Sequence, residues 1–243
     1  MRNSRPIVSF TFDDFPKSAV STGARLLEER DVCGTFYCVS TFCGAFAEEQ
    51  TCYDLDDLRR LNENGHEIGC HTASHVRLSR SDRIQILREV DSNARFVLDT
   101  LGDVRLTTFA YPFGDLNLGA KLLLQQRFAA CRTTSPGHNC GVADLGALKA
   151  RALDSKTTAS SVAKNIEDAV SANAWLIFFT HDVSDSPSAY GCTSAVLEAA
   201  ISESIAAGCE ILTVRNALGK IGFGGETPRR YGVQKRLADV ICA

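Results

Sequence analysis

Ile7-Val-Ser-Phe-Thr-Phe-Asp13-Asp14 is an apolar run of strand length that ends in two carboxylates. β-branched and aromatic residues fill it, and the turn-prone acids stop it. Outward from this segment the same grammar repeats. Strand-like runs at 34–39, 66–70, 107–111, 128–132, 148–153, 174–179 and 210–214 alternate with helical patterns at 18–30, 55–64, 81–101, 117–126, 158–172 and 193–207. Ser81-Asp82 supplies an N-cap candidate for the longest helix, and Gly102 a stop. About seven or eight βα units without a composition break predict one parallel α/β unit, either a barrel or a large open sheet. The looser stretch Thr133–Gly146 is assigned no element, and Gly222-Phe-Gly-Gly225 is read as the end of the compact core. This gives one barrel-sized unit over 1–221 and a C-terminal tail over 222–243 without an assigned role.

The bulk numbers exclude more than they name. The chain has 243 residues, 44% hydrophobic and 23% charged, with a net charge of −3. No basic patch points to nucleic acid, and no apolar run reaches the length of a membrane span. The first strand begins so soon after Met1 that a cleavable leader has no room, which gives a cytoplasmic expectation. Ten cysteines include no Cys-x-x-Cys pair, so they are read as mostly reduced and buried, with a minor oxidised form open for Cys33, Cys38 and Cys43. The oligomeric state is left unspecified.

The polar residues carry the chemistry. His71 and His75 follow the 66–70 strand at an i, i+4 spacing, which on a helical turn aims both rings at one metal. A carboxylate from the Asp13-Asp14 pair completes a two-His, one-carboxylate set with open positions, the pattern of a catalytic divalent site. Neighbours on a strand point to opposite faces, so one aspartate suits the metal and the other a proton-accepting role. His181 closes the 174–179 strand and suits a general acid opposite the metal. Tyr111-Pro-Phe-Gly-Asp115 follows the 107–111 strand. Every candidate lies just past the C-terminal end of a strand, the face on which parallel α/β folds build active sites. His66 reads as structural and His138 as a loop residue without a catalytic part.

Thr11-Phe-Asp-Asp14, His71-Thr-Ala-Ser-His75, Tyr111-Pro-Phe-Gly114 and Phe179-Thr-His181 together resemble the ordered motifs of the polysaccharide deacetylase (NodB-homology) family over roughly residues 7–215. The resemblance implies a single-domain distorted (β/α) barrel of about seven parallel strands. It also implies one divalent metal, zinc first and cobalt or another cation second, and removal of N-acetyl groups from N-acetylglucosamine oligomers or polymers. By position it makes Asp13 the base, Asp14, His71 and His75 the ligands, and His181 the acid. Thr72 would brace the loop between the histidines, and Tyr111 and Phe113, the latter through its N–H, would face the oxyanion and substrate.

Two departures from the family pattern stand out. Phe15 follows Asp14 where glycine is common, and could reshape the mouth of the site. Ala110 occupies the place of an arginine that orients the base; Arg151 is the candidate substitute. No Asp-x-x-Asp-Trp motif is present, and few aromatic residues mark a long sugar groove. Alternative readings keep the barrel but change the substrate to another small amide, a cyclic ureide or an O-acetyl ester, or make it a non-catalytic carbohydrate-binding barrel.

Overall fold

The computed structural model describes residues 4–47 and 49–223. Its elements run in the predicted alternation. Strand β1 (Ile7–Asp13) leads through a wide helical turn (Ala19–Ala24) into α1 (Arg25–Glu28), then β2 (Thr35–Cys38). A short hairpin, β3 (Phe46–Ala47) with β4 (Gln50–Thr51), precedes α2 (Leu55–Glu63) and β5 (Glu67–Cys70). There follow α3 (Arg83–Leu101), β6 (Thr108–Ala110), α4 (Leu118–Leu124), β7 (Ala130–Pro136) and β8 (Leu148–Ala152). The chain ends with α5 (Ala159–Ser171), β9 (Trp175–Thr180), α6 (Ser194–Ala206), β10 (Glu210–Ile211) and α7 (Val214–Leu218).

Seven parallel strands close on themselves in the order β1-β2-β5-β6-β7-β8-β9, with β9 returning to β1. Closure removes the sheet edges that an open arrangement would have to protect. One edge of β1 runs along β9 from Ile7 to Phe12; the other is shared, Ile7 and Val8 pairing with β10 and Thr11 to Asp13 with β2. The first strand is therefore the most constrained in the molecule, and it carries the two carboxylates.

Strand alternation decides what faces the barrel axis. Val8, Phe10 and Phe12 pack outward against Leu27, Val162, Leu197 and Ile201 of the helical shell. Ile7 faces inward with Ala130, Leu148, Ala150, Trp175 and Ile177, and the Trp175 Nε1–H donates to Ser9 Oγ across 2.9 Å. Asp13 continues this inward set.

Helix α7 plugs the N-terminal end of the barrel. Val214, Ala217 and Leu218 join the inward apolar cluster. Its first free amides are satisfied by the barrel and its own cap: Val214 N–H donates to Thr35 Oγ1 (3.0 Å), Arg215 N–H to Glu67 Oε2 (2.8 Å) and Asn216 N–H to Thr213 Oγ1 (3.2 Å). Glu67 is fully buried and also accepts from Thr35 (2.9 Å) and Thr108 (2.5 Å). Burial pushes its carboxyl up, opposed by these hydrogen bonds.

The structure corrects three local expectations. The 210–214 strand shortens to β10, because the Thr213 cap starts a helix one residue later. The hairpin at 46–51 was not anticipated, since two-residue strands leave no periodicity to read. The stretch from Thr133 is partly ordered, with β7 extending to Pro136. At the expected end of the compact core, Ile221 is buried, Gly222 leaves helical conformation at φ 91° and Phe223 is exposed; the expected tail from residue 224 lies outside the described residues. Nine cysteines are free, as expected, and Cys242 lies outside the described residues. No helix among the described residues is long and apolar enough to cross a membrane.

Candidate metal and catalytic site

The strand ends bring four side chains together at the C-terminal mouth of the barrel. Asp14 Oδ1 lies 3.6 Å from His71 Nε2 and 3.5 Å from His75 Nε2, while Asp14 Oδ2 lies 3.8 Å from His181 Nε2. Ligand atoms of Asp14, His71 and His75 all fall within 4.8 Å of one another. Asp14 reaches this place because the strand ends at Asp13: Asp14 adopts φ 58°, a left-handed conformation that aspartate tolerates better than most residues. Strand alternation would otherwise have turned it away from Asp13.

The two histidines are not on a helical turn, as their spacing had suggested. They bracket a loop in which Thr72 (φ 66°) and His75 (φ 53°) are both left-handed, and their ring centroids lie 5.1 Å apart. Thr72 does brace this loop: its hydroxyl oxygen accepts the Val76 N–H at 3.3 Å. Ser74 ties it to α3 through Glu89, by its N–H and its hydroxyl, each at 2.8 Å.

Hydrogen bonding selects the histidine tautomers. His71 Nδ1 lies 2.8 Å from the Ala110 carbonyl. A carbonyl only accepts, so Nδ1 carries the proton and the neutral ring keeps its Nε2 lone pair for the site. His181 Nδ1 faces the Tyr190 carbonyl at 3.3 Å in the same sense. Burial pushes His71 down to about 4, against the pull of Asp13, and His75 down to about 3, with the neighbouring His71 adding to the effect. Both rings are neutral at pH 7, the form that binds a metal. Burial and Arg132 lower His181, opposed by Asp13 and Asp182.

Asp13 points into the barrel beside this group and is ion-paired with Arg132, whose Nη2 donates to Asp13 Oδ1. Burial alone would raise the Asp13 carboxyl; Arg132, His71 and His181 outweigh it and hold the group below the ordinary carboxylate value. The fully buried guanidinium lies over Tyr37 (5.2 Å to the ring centroid) and Phe179 (5.0 Å).

The arginine beside Asp13 is thus Arg132, not Arg151. Leu148 and Ala150 face the barrel axis, so Arg151, one residue out of phase, faces outward, where its charge acts on Asp168 of α5. Arg132 is in phase with the inward-facing Ala130 and sits beside Ala110 in the β6–β7 register. In the sequence it closes the apolar run Phe128-Ala-Ala-Cys-Arg132, the same signal that marked the other site residues, and that signal could have found it.

The remaining candidates divide. Phe113 (φ 59°) is half-exposed at the mouth, 4.3 Å from the His75 ring, with the Arg77 guanidinium 4.0 Å over its own ring. Tyr111 does not line the mouth: its ring is buried, its hydroxyl donates to the Gly146 carbonyl (2.9 Å) and its N–H to the Arg132 carbonyl (3.0 Å). Phe15 does not shape the mouth either. It is fully buried, 4.0 Å from the Tyr53 ring and edge-on to Phe36. His66 is structural, accepting the Gly34 N–H through Nδ1 (3.0 Å) with Nε2 facing Glu28.

A buried pair of neutral imidazoles with a carboxylate, next to an ionised second carboxylate and a partly exposed histidine, is equipped for hydrolysis by an activated water. Comparison with known proteins agrees. The polysaccharide deacetylase family profile matches residues 1–127, more than half of the chain and including both aspartates, both loop histidines and Phe113. The chain belongs to the polysaccharide deacetylase family. It is 30% identical over 92 residues, 37% of its length, to a chitin deacetylase of Colletotrichum lindemuthianum, and 26% identical over 114 residues, 47% of its length, to a bifunctional xylanase/deacetylase of Pseudobutyrivibrio xylanivorans. The aligned stretches span 36% and 18% of those proteins. Its fold matches that of a family 4 acetyl xylan esterase from Clostridium thermocellum in complex with a cobalt ion, at TM-score 0.64 and 19% identity, covering 88% of this chain and 90% of that one.

Proposed function

We propose that this chain is a metal-dependent deacetylase that hydrolyses the N-acetyl group of N-acetylglucosamine units in an oligo- or polysaccharide. The observation that carries the reading is the meeting of two sets at one strand-end mouth. Asp14, His71 and His75 form a three-ligand donor set, and beside it stand two groups suited to handle protons, Asp13 ion-paired with Arg132 and His181 facing Asp14. A protein that only held a sugar would have no use for a buried carboxylate kept ionised beside a ligand set.

Asp14, His71 and His75 suit a divalent metal: two neutral imidazole nitrogens, their orientation set by a carbonyl behind His71, and one carboxylate oxygen favour zinc or cobalt over a hard, oxygen-seeking cation. Such a metal supplies Lewis acidity that acidifies a water and polarises the acetyl carbonyl. Asp13, held ionised by Arg132, accepts the proton of the attacking water. The Phe113 N–H is assigned to the oxygen that gains charge as the carbonyl becomes tetrahedral. His181, facing Asp14 from the opposite side through Nε2, delivers a proton to the sugar nitrogen as the C–N bond breaks. Acetate and the free amine are the products.

The test is acetate release from N-acetylglucosamine oligomers by protein stripped with a chelator and resupplied with zinc or cobalt. Metal should restore release. Asp13→Asn should abolish turnover and keep the metal, whereas His71→Ala should lose both. Metal loss in Asp13→Asn, full activity in His71→Ala, or tight metal binding without acetate release would each overturn the assignment.

A further inference from the structure

Arg132 has to cross the barrel to reach Asp13. Its strand, β7, stands on the far side of the closed sheet from β1, three strands away through β8 and β9 and four through β6, β5 and β2. Hydrogen bonds alone do not fix where the guanidinium arrives. Of its five donors, one on Nη2 serves Asp13 and one on Nη1 reaches the Thr133 carbonyl at 3.4 Å, while Nε has no hydrogen-bond partner among the described residues. Ala110, its neighbour in the β6–β7 register, has only a methyl group to offer.

The faces of the guanidinium are better held. Its carbon lies 5.2 Å from the centre of the Tyr37 ring and 5.0 Å from that of Phe179, distances at which a buried cation is attracted to an aromatic face. These rings come from β2 and β9, the two strands that flank β1 along its C-terminal half. Tyr37 is the register partner of Asp13 itself, and Phe179 that of Thr11. The side chain that crosses the barrel is therefore received by the two neighbours of the strand it must meet.

Tyr37 is itself locked. Its other register partner is Gly69, where a Cβ would come within 2.5 Å of the Tyr37 ring, so the ring lies flat against β5 only because that residue is glycine. At the far end of the ring the Thr108 hydroxyl acts on the Tyr37 hydroxyl, and Thr108 in turn donates to the buried Glu67 at 2.5 Å. The ring is fully buried and touches no part of the mouth. Its one other neighbour in the site is His71, with ring centroids 6.4 Å apart.

We propose that Tyr37 is a positioning residue for the reaction: its ring, with that of Phe179, clamps the Arg132 guanidinium by its faces and so holds the Asp13 carboxylate in line with the attacking water. The inference rests on the proposed deacetylase activity. Zinc-loaded Tyr37→Leu should lose about tenfold or more in kcat on N-acetylglucosamine oligomers with KM within about twofold of wild type, as a misplaced reacting group does. Tyr37→Phe keeps the ring and should restore kcat to within about threefold of wild type. Phe179→Leu, at a partly exposed position, should lower kcat in the same sense and carries the test should Tyr37→Leu fail to fold. In an Arg132→Met background, Tyr37→Leu should cost less than about twofold more, because the group it acts through is gone. The full loss in that background, equal losses from Tyr37→Phe and Tyr37→Leu, or weaker zinc binding by Tyr37→Leu, which would put the ring behind His71 instead, would each overturn the clamp. Should the wild type release no acetate, the deacetylase reading falls separately and NMR judges the clamp alone. The Nε–H signal that disappears in Arg132→Met should lie upfield in the wild type and move downfield in Tyr37→Leu or Phe179→Leu; an unmoved signal overturns it.

Discussion

Arg132→Met tests the electrostatics of the site most directly. The substitution keeps an unbranched apolar stem but removes the guanidinium from a place where both partners are buried, Arg132 at 0% and Asp13 at 3% exposure. Breaking a buried pair from one side leaves an unmatched charge, and such changes cost about 3–5 kcal/mol. For a chain of this size each kcal/mol moves Tm by roughly 2–4 °C, so Tm should fall by about 6–20 °C at neutral pH. The pH dependence gives the sign. In the native protein the Asp13 pKa lies below its unfolded value, so its ionisation contributes stability above that value and loses it as pH falls through the lowered native pKa. Without Arg132, burial dominates and the native pKa rises above the unfolded one. The variant is then penalised most at neutral pH, and the gap to wild type narrows as acid protonates Asp13. Activity should follow, with the acid limb of kcat/KM moving to higher pH. Arg151→Met, which removes an outward-facing charge, should alter neither quantity. Thermal melts and rate profiles between pH 4 and 8 measure all of this, pH 4 and 8 being the approximate limits over which carboxylate and imidazole titration is felt. An Arg132→Met protein melting within about 2 °C of wild type, a shift too small for a broken buried pair, with an unmoved acid limb, would refute the reasoning.

Two further outcomes follow from the histidine loop. In chelated protein, His71 titrates near 4 in the native state against an ordinary 6.5, so its buried neutral ring contributes stability above 6.5 that is lost as pH falls toward 4; denaturant titrations should show a loss of roughly 3 kcal/mol, and His71→Gln should flatten that slope. Stability that stays level from neutrality down to mild acid would contradict the burial of this ring. Thr72→Gly should leave the melting temperature of the metal-free protein within about 4 °C of wild type, because relief of a left-handed β-branched residue offsets the lost brace and the added freedom of glycine. It should nevertheless weaken metal binding about tenfold, as loss of a supporting contact does. Unchanged affinity by calorimetry would show that Thr72 is not holding the ligands.

Much of this was legible in the residues because a parallel barrel writes its active face into one-dimensional order: strand, then functional residue, repeated. Asp13, His71, Phe113 and His181 were found by that rule. What it missed depended on phase and on local backbone conformation. Leu148-Lys-Ala-Arg-Ala alternates apolar with charged, so Arg151 shares the outward phase of Lys149, while Arg132 shares the inward phase of Ala130. Reading the phase, rather than proximity to a strand end, separates the two arginines. The reach of Asp14 and the doubling-back of the 71–75 loop rest on left-handed residues other than glycine, which composition does not announce. The β3–β4 hairpin is held by contacts with distant segments and is too short to carry a pattern of its own.

The two ends of the barrel divide stability from function. At the N-terminal end, Glu67, Thr35 and Thr213 satisfy the first amides of α7, and apolar side chains fill the axis. At the C-terminal end, Asp14, Phe15, Thr72, His75 and Phe113 are all left-handed, as is Glu49 in the β3–β4 hairpin, whereas only Asp31 and Asn173 are so elsewhere among the described non-glycine residues. Such conformations cost on the order of 1–3 kcal/mol each and persist only where the surroundings over-determine them. Here the surroundings are the closed register of β1 and the buried packing of Phe15, which together force the chain to break after Asp13. That break sets two consecutive carboxylates on one site, one matched to a guanidinium and one to two neutral imidazoles. A regular strand would have sent the second carboxylate into the helical shell, away from the two imidazoles.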